Sequence, residues 1–589
     1  MDIFDVLSLL LGLALFLYGM EVMGDSLKKS AGSNLKNILG KMTSSPVKGF
    51  LLGLIVTCVI QSSSATTVMV VGFVNSGTMT LLQAVGVIMG ANVGTAVTAW
   101  LTGLSGLGET GAGISNAIVW LKPDSWMPVL AVIGICFILF VKRGKKKDIG
   151  CILLGFAVLM TGMDVMSGAV GGLKDSPEFH SILTMFENPI LGVLAGVILT
   201  AIVQSSSASV GILQSLTTTG AITYGAAVPI VMGQNIGTCV TAMISSVGAN
   251  KNGRRAALVH LYFNVIGVVV WLTVFTLSDL IFTIPFFDQA IDMWGVAAVH
   301  TIFKILSVAI MAPFYRGLER LAMLTIKDSP EENETVNLLD ERFLDTPAVA
   351  VARATEVTGA MAEISCRALY ESLTLFDAYD PKVAELVRTL EDKADTYEDA
   401  LGAYLVKISA RDLDPQDSKQ VTKLLHIIGD FERISDHAVN ILESAEEMRE
   451  KKIEFSKQAQ GELSVLRGAV NEILHLTERA FVENNVVLAA DVEPLEQVVD
   501  KLRDEIRLNH VIRLQKSECT IEHGFILADM LTDFERVSDH CSNVAGCVIE
   551  ISTYDTLEIH KYLAEIKSGG ENFNKKLEEY SKKYSIQEI

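Results

Sequence analysis

The sequence predicts an all-α membrane protein with two different parts, and three observations support this fold class. Apolar runs long enough to cross a bilayer, which takes roughly 20 helical residues, occur in residues 1–320 and not beyond them. Among these runs a polar hexapeptide, Gln-Ser-Ser-Ser-Ala-Thr at 61–66, returns as Gln-Ser-Ser-Ser-Ala-Ser at 204–209, an offset of 143 residues. The residues after 347 are charged and show helical periodicity, which is typical of a soluble helical domain.

Charge divides the chain at the same place. Of 48 basic and 68 acidic residues, residues 1–320 hold 18 and 15, so the excess of acid lies in the second part. We predict a membrane core at 1–320, a linker at 321–346 and a soluble helical domain at 347–589. The core is expected to contain repeats at about 1–143 and 144–286, followed by an extra helix at about 294–315.

Two further blocks repeat with the same offset as the hexapeptide. Residues 19–23 return at 162–166, and the block Gly-Ala-Asn-Val-Gly-Thr at 90–95 returns as Gly-Gln-Asn-Ile-Gly-Thr at 233–238. Three blocks in one register indicate an internal duplication. Polar, broken segments in corresponding positions of two halves indicate the binding site of a transporter.

The loops predict that the repeats are inverted. Cytoplasmic loops are enriched in Lys and Arg. The loop at 28–48 is basic and its counterpart at 171–189 is acidic, whereas the acidic loop at 103–124 corresponds to the basic loop at 251–255. This pattern places the N-terminus outside and the soluble domain in the cytoplasm. The loops at 28–48 and 103–124 lie on opposite sides of the membrane, so an odd number of crossings must separate them. One of the apolar stretches between them therefore cannot cross, and we expect the stretch broken at 61–64, like its counterpart at 204–207, to form a re-entrant helical hairpin.

Other function classes lack support in the sequence. There is no Walker-type phosphate loop, no Gly-Xaa-Ser-Xaa-Gly elbow and no His-Glu-Xaa-Xaa-His, so an enzyme is not expected. The eight cysteines form no Cys-Xaa-Xaa-Cys pair, which argues against a disulfide framework or a zinc site. The first apolar run lacks a basic flank and is interpreted as a retained helix. Membrane lipid is an expected partner and nucleic acid is not.

The chemistry of the polar blocks suits an anion that enters with cations. Hydroxyls donate to an oxyanion and also offer oxygen to a cation such as Na⁺. A helix that starts after the break adds free N–H groups and partial positive charge. The core carries few intramembrane charges, with Glu21, Asp164 and Lys304 as the main candidates. The alternative is that Gly, Ser and Thr serve only as packing surfaces between membrane helices.

The paired Gln-Ser-Ser-Ser and Asn-Xaa-Gly-Thr blocks resemble those of the type II sodium/phosphate cotransporter family, over about residues 1–320. This resemblance implies Na⁺-coupled symport of inorganic phosphate across a bacterial plasma membrane by alternating access. Two alternatives stay open: a membrane-anchored sensor of phosphate or metal without net transport, and a transporter of another oxyanion such as sulfate or arsenate. The substrate and sodium ligands implied by the resemblance are Gln61, Ser62, Ser63, Ser64, Asn92, Thr95, Gln204, Ser205, Ser206, Ser207, Asn235 and Thr238.

The soluble domain is also duplicated. The octapeptide Asp-Phe-Glu-Arg-Ile-Ser-Asp-His at 430–437 returns at 533–540 with Val in place of Ile, and a looser acidic match links 390–395 with 495–500. Carboxylates four residues apart share a helix face, so two such helices form an oxygen-rich site for a divalent or ferric metal. The alternative is a solvated face neutralised by Arg433 and Arg536. His437 and His540 are expected at the surface or at helix caps.

This second pattern resembles PhoU, a phosphate-responsive regulator built of two three-helix bundles. The resemblance spans roughly residues 345–560 and implies a cytosolic domain that regulates the transporter, with a homodimer or a cytosolic regulatory protein as the partner left open. The candidate metal ligands are Glu391, Asp395, Glu432, Asp436, Glu496, Asp500, Glu535 and Asp539.

Overall fold

The computed structural model describes residues 3–41, 45–108, 123–141, 145–173, 185–186, 188–282, 284–327, 339–553 and 571–586. The chain forms two compact units, Met1–Val349 and Ala350–Ile589. Within the described ranges the structure is helical without strands, and one isolated bridge joins Thr223 and Ala290. The predicted all-α fold is therefore confirmed. Parts of the predicted loops at 103–124 and 171–189 and of the predicted linker lie outside the described residues.

The helices of the first unit are α1 (Ile3–Lys41), α2 (Pro46–Ile60), α3 (Ser63–Asn75), α4 (Leu81–Gly94), α5 (Ala96–Gly103), α6 (Pro123–Phe140), α7 (Lys145–Val170), α8 (Pro189–Val203), α9 (Ser206–Thr217), α10 (Tyr224–Gly237), α11 (Cys239–Ser245), α12 (Lys251–Phe282), α13 (Met293–Met311) and α14 (Tyr315–Thr325). Short 3-10 turns lie at Leu104–Gly108, Gly171–Leu173, Ala312–Phe314 and Glu341–Asp345.

Six stretches of the described chain are apolar and long enough to cross a membrane: Ile3–Ser30, Leu81–Gly106, Lys146–Val170, Tyr224–Ser245, Lys251–Phe282 and Met293–Thr325. Many large apolar side chains on these and neighbouring helices are exposed, such as Phe140 and Leu280. Exposed apolar surface of this extent is expected where lipid replaces water. The unit is a membrane protein.

Equivalent helices of the two copies start in the same way. Ser45 accepts a hydrogen bond from the Lys48 amide in front of α2, and Asn188 accepts one from the Ile190 amide in front of α8. In both helices the next residue is proline, whose fixed φ and missing N–H suit the first helical position. The start of each short helix is therefore determined by two adjacent residues of the sequence.

Glycines allow the repeats to pack with backbones nearly in contact. A Cβ at Gly53 of α2 would lie 2.0 Å from the Val87 carbonyl oxygen of α4. Its counterpart Gly196 of α8 would meet the Ile230 carbonyl oxygen of α10 at 2.1 Å. The first helices of the copies, α1 and α7, pack on each other, and a Cβ at Gly19 would lie 2.3 Å from an α7 amide nitrogen. The duplicated glycines thus produce duplicated close crossings.

The helices of the second unit are α15 (Pro347–Thr374, which begins at the boundary between the units), α16 (Pro381–Ser409), α17 (Pro415–Lys451), α18 (Lys457–Val482), α19 (Val486–Ala490), α20 (Val492–Gln515), α21 (Ile521–Thr553) and α22 (Glu571–Lys583). Asp380 and Asp414 cap α16 and α17, each followed by proline. Helix α17 turns an apolar stripe toward the interior of the unit, and the members of this stripe are fully buried: Phe431, Ile434, Ala438 and Ile441.

Candidate functional site

Both polar hexapeptides break a helix in the same way. Helix α2 ends at Ile60 and is capped by Gln61, whose φ of 58° is left-handed, and α8 ends at Val203 and is capped by Gln204 with a φ of 55°. The following serine is extended in both copies, and α3 and α9 then begin one residue later. A left-handed conformation is costly for a residue other than glycine and persists only where the surroundings impose it. We call the two breaks, residues 61–64 and 204–207, the first and the second tip.

The first serine of each tip caps the helix that follows. Ser62 Oγ accepts from the Ala65 amide at 3.2 Å, and Ser205 Oγ accepts from the Ala208 amide at 3.2 Å. The earlier amides of the first helical turn have no intrahelical acceptor. Ser63 and Ser206 are buried at these helix N-termini. Each tip therefore presents hydroxyls and amide donors, without a charged side chain, where the helix dipole favours an anion.

The glutamines of the two tips differ in their surroundings. Gln61 is buried, and its Oε1 accepts from Thr98 Oγ1 at 2.9 Å. Gln204 is exposed. Thr241, which corresponds to Thr98, has a buried Oγ1 without a hydrogen-bond partner among the described residues. Two equivalent sequences therefore adopt the same backbone break with different side-chain environments.

The Asn-Xaa-Gly-Thr blocks lie buried at the ends of α4 and α10. Asn92 Nδ2 donates to the Ile88 carbonyl at 3.4 Å, and Asn235 Nδ2 donates to the Val231 carbonyl at 2.8 Å. Thr95 and Thr238 donate to carbonyls of the same helices. Because the donors are used within each helix, the oxygen atoms are what these residues can offer to a cation.

A short helix connects the first tip with the second copy. Helix α5 carries Thr98, which reaches Gln61, and Thr102, whose Oγ1 donates to Gln214 Oε1 of α9 at 2.6 Å. Gln214 Nε2 donates to the Ala99 carbonyl at 2.9 Å and to the Met293 carbonyl at 3.1 Å. In the equivalent arrangement α11 packs on α3. The two copies are thus joined by the helices that follow the Asn-Xaa-Gly-Thr blocks.

Sequence reasoning missed Thr98, Thr102 and Gln214. The sequence signal was the mismatch between the copies, since Gln214 corresponds to Val71 of the first copy. The structure shows that Gln214 is fully buried. Of the three intramembrane charges singled out, Glu21 and Asp164 are exposed and Lys304 is buried.

The segment at 339–346, which we call the docking segment, belongs to the first unit and packs beside the end of α3. Asp340 is buried, and its Oδ2 accepts from Asn75 Nδ2 and from Arg342 Nη1, both at 2.7 Å. Arg342 also donates to the Ser245 carbonyl of α11 at 2.6 Å. Phe343 is fully buried with its ring 4.9 Å from that of Phe73. The segment therefore holds the far end of the helix that starts at the first tip.

In the second unit, the carboxylates predicted in the first copy lie together. Oxygens of Glu391, Asp395 and Asp436 are within 4.8 Å of one another. Burial, with Asp436 close by, raises the pKa of Glu432 to about 7. Burial and neighbouring carboxylates also raise the pKa of Glu391 and of Asp395. We call these four residues the first carboxylate cluster. It is crowded with negative charge, and Arg433 on its rim is largely exposed.

The second copy differs because an arginine enters among its predicted ligands (Glu496, Asp500, Glu535 and Asp539), of which Asp500, Glu535 and Asp539 lie near one another. We call these predicted ligands the second carboxylate cluster. Arg503 forms an ion pair with Glu535 and lies 3.6 Å from Asp500. At the corresponding position the first copy has Glu398. Burial raises the pKa of Asp500, and Arg503 opposes that shift. The two sets of predicted ligands therefore differ in character: Arg433 pairs with Glu432 and Asp436 from the exposed rim of the first, whereas Arg503 lies among the carboxylates of the second.

His437 and His540 were expected at the surface or at helix caps, but the structure places neither of them there. His437 Nδ1 lies 2.9 Å from Asp533 Oδ1, and His540 Nδ1 lies 2.9 Å from Asp430 Oδ1. Their rings are 5.7 Å apart. Each copy of the repeated octapeptide thus supplies the histidine that pairs with the first aspartate of the other, and the motif joins the two halves of the unit.

Comparison with known proteins identifies relatives along both parts. The Na⁺/Pi-cotransporter family model matches residues 15–168 and 175–295, and the PhoU domain model matches 359–445 and 463–548. YjbB of Escherichia coli (strain K12), provisionally named an inorganic phosphate export protein, is 25% identical over 559 residues, covering 92% of this chain and 97% of YjbB. YqeW of Bacillus subtilis (strain 168) is 31% identical over 264 residues, 44% of this chain and 80% of YqeW. Human sodium-dependent phosphate transport protein 2B is 41% identical over 171 residues, 26% of this chain and 24% of that protein. No solved structure matches.

Proposed function

Because this chain belongs to the Na⁺/Pi-cotransporter family and carries a PhoU domain, we propose that it moves inorganic phosphate together with Na⁺ across a bacterial plasma membrane. The family is one of transporters, which confirms that the chain is not an enzyme. The observation that carries the proposal is the pair of equivalent tips, each a left-handed glutamine followed by a helix-capping serine.

Phosphate binds at the helix N-termini of the two tips in this proposal. Its oxygens accept from first-turn amides and from hydroxyls of Ser63, Ser64, Ser206 and Ser207, which need no charged side chain. The carboxamides and hydroxyls at Gln61, Asn92, Thr95, Gln204, Asn235 and Thr238, together with Ser62 and Ser205, supply oxygens for Na⁺. Positive charge then enters with the substrate and offsets its negative charge.

Unsatisfied oxygens in the second copy favour a cation there. Thr200 Oγ1, Thr241 Oγ1 and Gln234 Oε1 are buried without a hydrogen-bond partner among the described residues. An unpaired buried polar atom costs about 1–3 kcal/mol, and a coordinated cation removes that cost. In the first copy the counterpart hydroxyls of Thr57 and Thr98 are hydrogen-bonded. The second copy is therefore the better candidate for Na⁺ in this conformation.

Re-entrant hairpins and an inverted arrangement are part of the proposal. Helices α2, α3, α8 and α9 have 15, 13, 15 and 12 residues, each shorter than the roughly 20 that a span needs. Broken backbone at membrane depth is tolerated where protein surrounds it. With the basic loops inside, the N-terminus is outside and the second unit is cytoplasmic. The unequal surroundings of Gln61 and Gln204 suit a cycle in which the tips exchange environments.

The direction of transport follows the gradients in a coupled mechanism. The relative named for sodium dependence supports Na⁺-driven uptake, and the relative named for export, which aligns with 92% of this chain, supports phosphate leaving the cell. A symporter can perform uptake and export, because reversing the sum of the Na⁺ and phosphate gradients reverses the direction of flux. We take uptake driven by Na⁺ as the primary function and export as the second candidate.

The test is labelled-phosphate uptake into proteoliposomes that hold the purified chain, under an inward Na⁺ gradient, a K⁺ gradient or none. Na⁺-dependent uptake that is lost in Ser63→Ala/Ser206→Ala supports the proposal. Thr273→Ala is the matched control, because its hydroxyl only donates to the Val269 carbonyl of its own helix. Phosphate binding without flux under any gradient would favour the sensor, and Na⁺-driven flux of sulfate or arsenate instead would replace the substrate.

We propose that the PhoU domain regulates the core through the docking segment. That segment holds the end of α3 through Asn75 and the end of α11 through Arg342, and it leads directly into α15. A shift of α15 that loosened these contacts would release the helix that starts at the first tip. Unchanged uptake kinetics after deletion of residues 345–589 would contradict regulation, whereas Asn75→Ala should weaken the response of uptake to whatever the domain senses.

We also propose a divalent or ferric metal in the first carboxylate cluster. Carboxylate oxygens are the ligands these cations prefer, and a cation would offset the burial and the mutual repulsion that raise the pKa values there. The second carboxylate cluster already contains the positive charge of Arg503, so this cluster should not bind a metal ion. Calorimetric titration with Mn²⁺ and with Fe³⁺ citrate tests this: Glu391→Gln should abolish binding and Glu496→Gln should not.

A further inference from the structure

Two neighbouring helices of the core carry the same buried polar pattern. His260-Xaa-Xaa-Phe263-Asn264 of α12 returns as His300-Xaa-Xaa-Phe303-Lys304 of α13, an offset of 40 residues. All six side chains are buried, and the two helices pack on each other. The second copy of the pattern therefore places a lysine where the first has a neutral amide.

Among the described residues, Lys304 has no partner that would hold its charge. Lys304 is 3% exposed, and its Nζ makes no hydrogen bond or ion pair with the described residues. Its electrostatic neighbours are His260 and His300, whose Nδ1 atoms are buried and also without a hydrogen-bond partner in the part of the chain that the structure describes. Ser307 Oγ, one turn further on α13, is unsatisfied in the same way.

No acid on the surrounding helices compensates a charged Lys304. Helices α4, α5 and α9 contain no titratable side chain, α10 contains Tyr224 and α11 contains Cys239. The acid of α12 is Asp279, 15 residues beyond Asn264 and thus roughly 22 Å away along the helix. Asp292, which caps α13, is 12 residues from Lys304, roughly 18 Å along the axis. The remaining charges of α12 are basic and lie in its first turns: Lys251, Arg254 and Arg255.

The buried group formed by His260, Asn264, His300 and Lys304 adjoins the second Asn-Xaa-Gly-Thr block. Cys239, which follows Thr238, donates from Sγ to the Asn235 carbonyl at 3.8 Å and to the His260 carbonyl at 3.6 Å. Asn264 Nδ2 lies 3.4 Å from the same sulfur. One side chain thus separates the block assigned to the substrate site from the helix that carries His260.

We propose that Lys304, with His260 and His300, forms an intramembrane proton-binding site that loads and unloads with the transported anion. A buried ammonium without a counter-ion costs several kcal/mol, so the empty site holds the neutral amine. When anion occupies the neighbouring block, Nζ takes up one proton from the aqueous side to which the site is open, and it returns that proton when the anion leaves. The proposal rests on the transport function proposed above and adds a proton to its cycle.

The experiment compares variants in proteoliposomes that contain a pH-sensitive dye, with protons and labelled phosphate counted together. Because phosphate itself carries protons, the measured quantity is the difference in proton-to-phosphate ratio between variants. Lys304→Asn, which makes the two patterns identical, should lower this ratio by about one. Lys304→Met, which keeps the side-chain length, should do the same if Lys304→Asn folds poorly. Lys251→Asn, at the start of α12, is the control and should leave the ratio unchanged.

The outcomes separate this inference from the proposed function. An unchanged ratio in a Lys304 variant that still transports phosphate would overturn the proton site and leave the cotransporter intact. Absence of Na⁺-driven phosphate flux in the wild-type chain would overturn the function itself. A ratio that falls by about one in Lys304→Asn or Lys304→Met, with Na⁺ dependence retained, supports the proposal.

Discussion

The hydrogen bond between Thr98 and Gln61 should stabilise the first tip, and Thr98→Val tests this directly. The two side chains are buried, and the donor and acceptor are 2.9 Å apart. Valine has nearly the same shape as threonine, so the change removes the donor and leaves Gln61 Oε1 buried. An acceptor left in this way costs about 1–3 kcal/mol. Gln61 is left-handed at a φ of 58°, so the loss should appear as local opening of the tip.

Hydrogen exchange measured by mass spectrometry reports that opening. Every 1.4 kcal/mol is a factor of ten in an equilibrium constant, so protection of amides in 57–66 should fall by roughly five- to 150-fold. The matched control is Thr241→Val in the second copy. Its hydroxyl has no partner among the described residues, so protection around the second tip should stay the same or rise.

Equal loss of protection in both variants, or none in either, would refute this reasoning, because it would mean that the Gln61 contact does not stabilise the tip. Transport gives a second readout. If the tips exchange environments during the cycle, Thr241 should pair with Gln204 in the opposite state, and Thr241→Val should slow phosphate flux without destabilising the state described here.

Three further predictions follow from other contacts. Gly53→Ala places a methyl group 2.0 Å from the Val87 carbonyl oxygen. It should destabilise the core by about 1–3 kcal/mol or more, measured as a lower thermal midpoint. Gly168→Ala has nothing within 4 Å and should leave the midpoint unchanged, and equal midpoints for the two variants would contradict the close crossing. The pKa of Glu432 is raised to about 7, so the metal-free folded state binds this proton more tightly than the unfolded state. The stability that this proton contributes is fully present below about pH 4.5 and is lost as pH rises through 7. Glu432→Gln should flatten the dependence of the thermal midpoint on pH, and an unchanged dependence would rule the residue out. Asp340→Ala removes the acceptor shared by Asn75 and Arg342 and should raise the rate of tryptic cleavage after Arg342 at least tenfold; cleavage at the wild-type rate would show that the docking segment is held by other contacts.

Local features of the core were predictable from sequence because they depend on neighbouring residues. The Ser-Pro and Asn-Pro starts of α2 and α8 and the serine caps of α3 and α9 are satisfied within four residues of the chain. The apolar stripe of α17 was predictable for the same reason, since its periodicity alone places Phe431 and Ile434 on one face. The left-handed glutamines have no comparable signal, because that conformation is imposed by contacts outside the motif.

The carboxylate clusters show where local reading stops. Both copies carry the same acidic spacing, yet the arginine of the first cluster, Arg433, pairs from its exposed rim, whereas Arg503 enters the second cluster. The difference comes from Arg503, one helical turn from Asp500, and from its contact with Glu535 on another helix. A motif records which ligands are present, whereas the charge of a cluster is the sum over every helix packed around it.

The sequence by itself determined that the chain is a duplicated helical membrane protein with a duplicated helical domain, and which polar blocks interrupt its apolar helices. These conclusions depend on the composition, the hydrophobic period and the motif spacing, which are properties of the sequence alone. Only the tertiary structure decided that Gln61 is buried against Thr98 while Gln204 is exposed, and that Gln214 joins the two copies through α5. It also decided that Lys304 is buried, with His260 and His300 as electrostatic neighbours and no hydrogen-bond or ion-pair partner in the described part of the chain. Those facts depend on which helices pack together, and packing brings residues into contact that are tens to hundreds of positions apart in the chain.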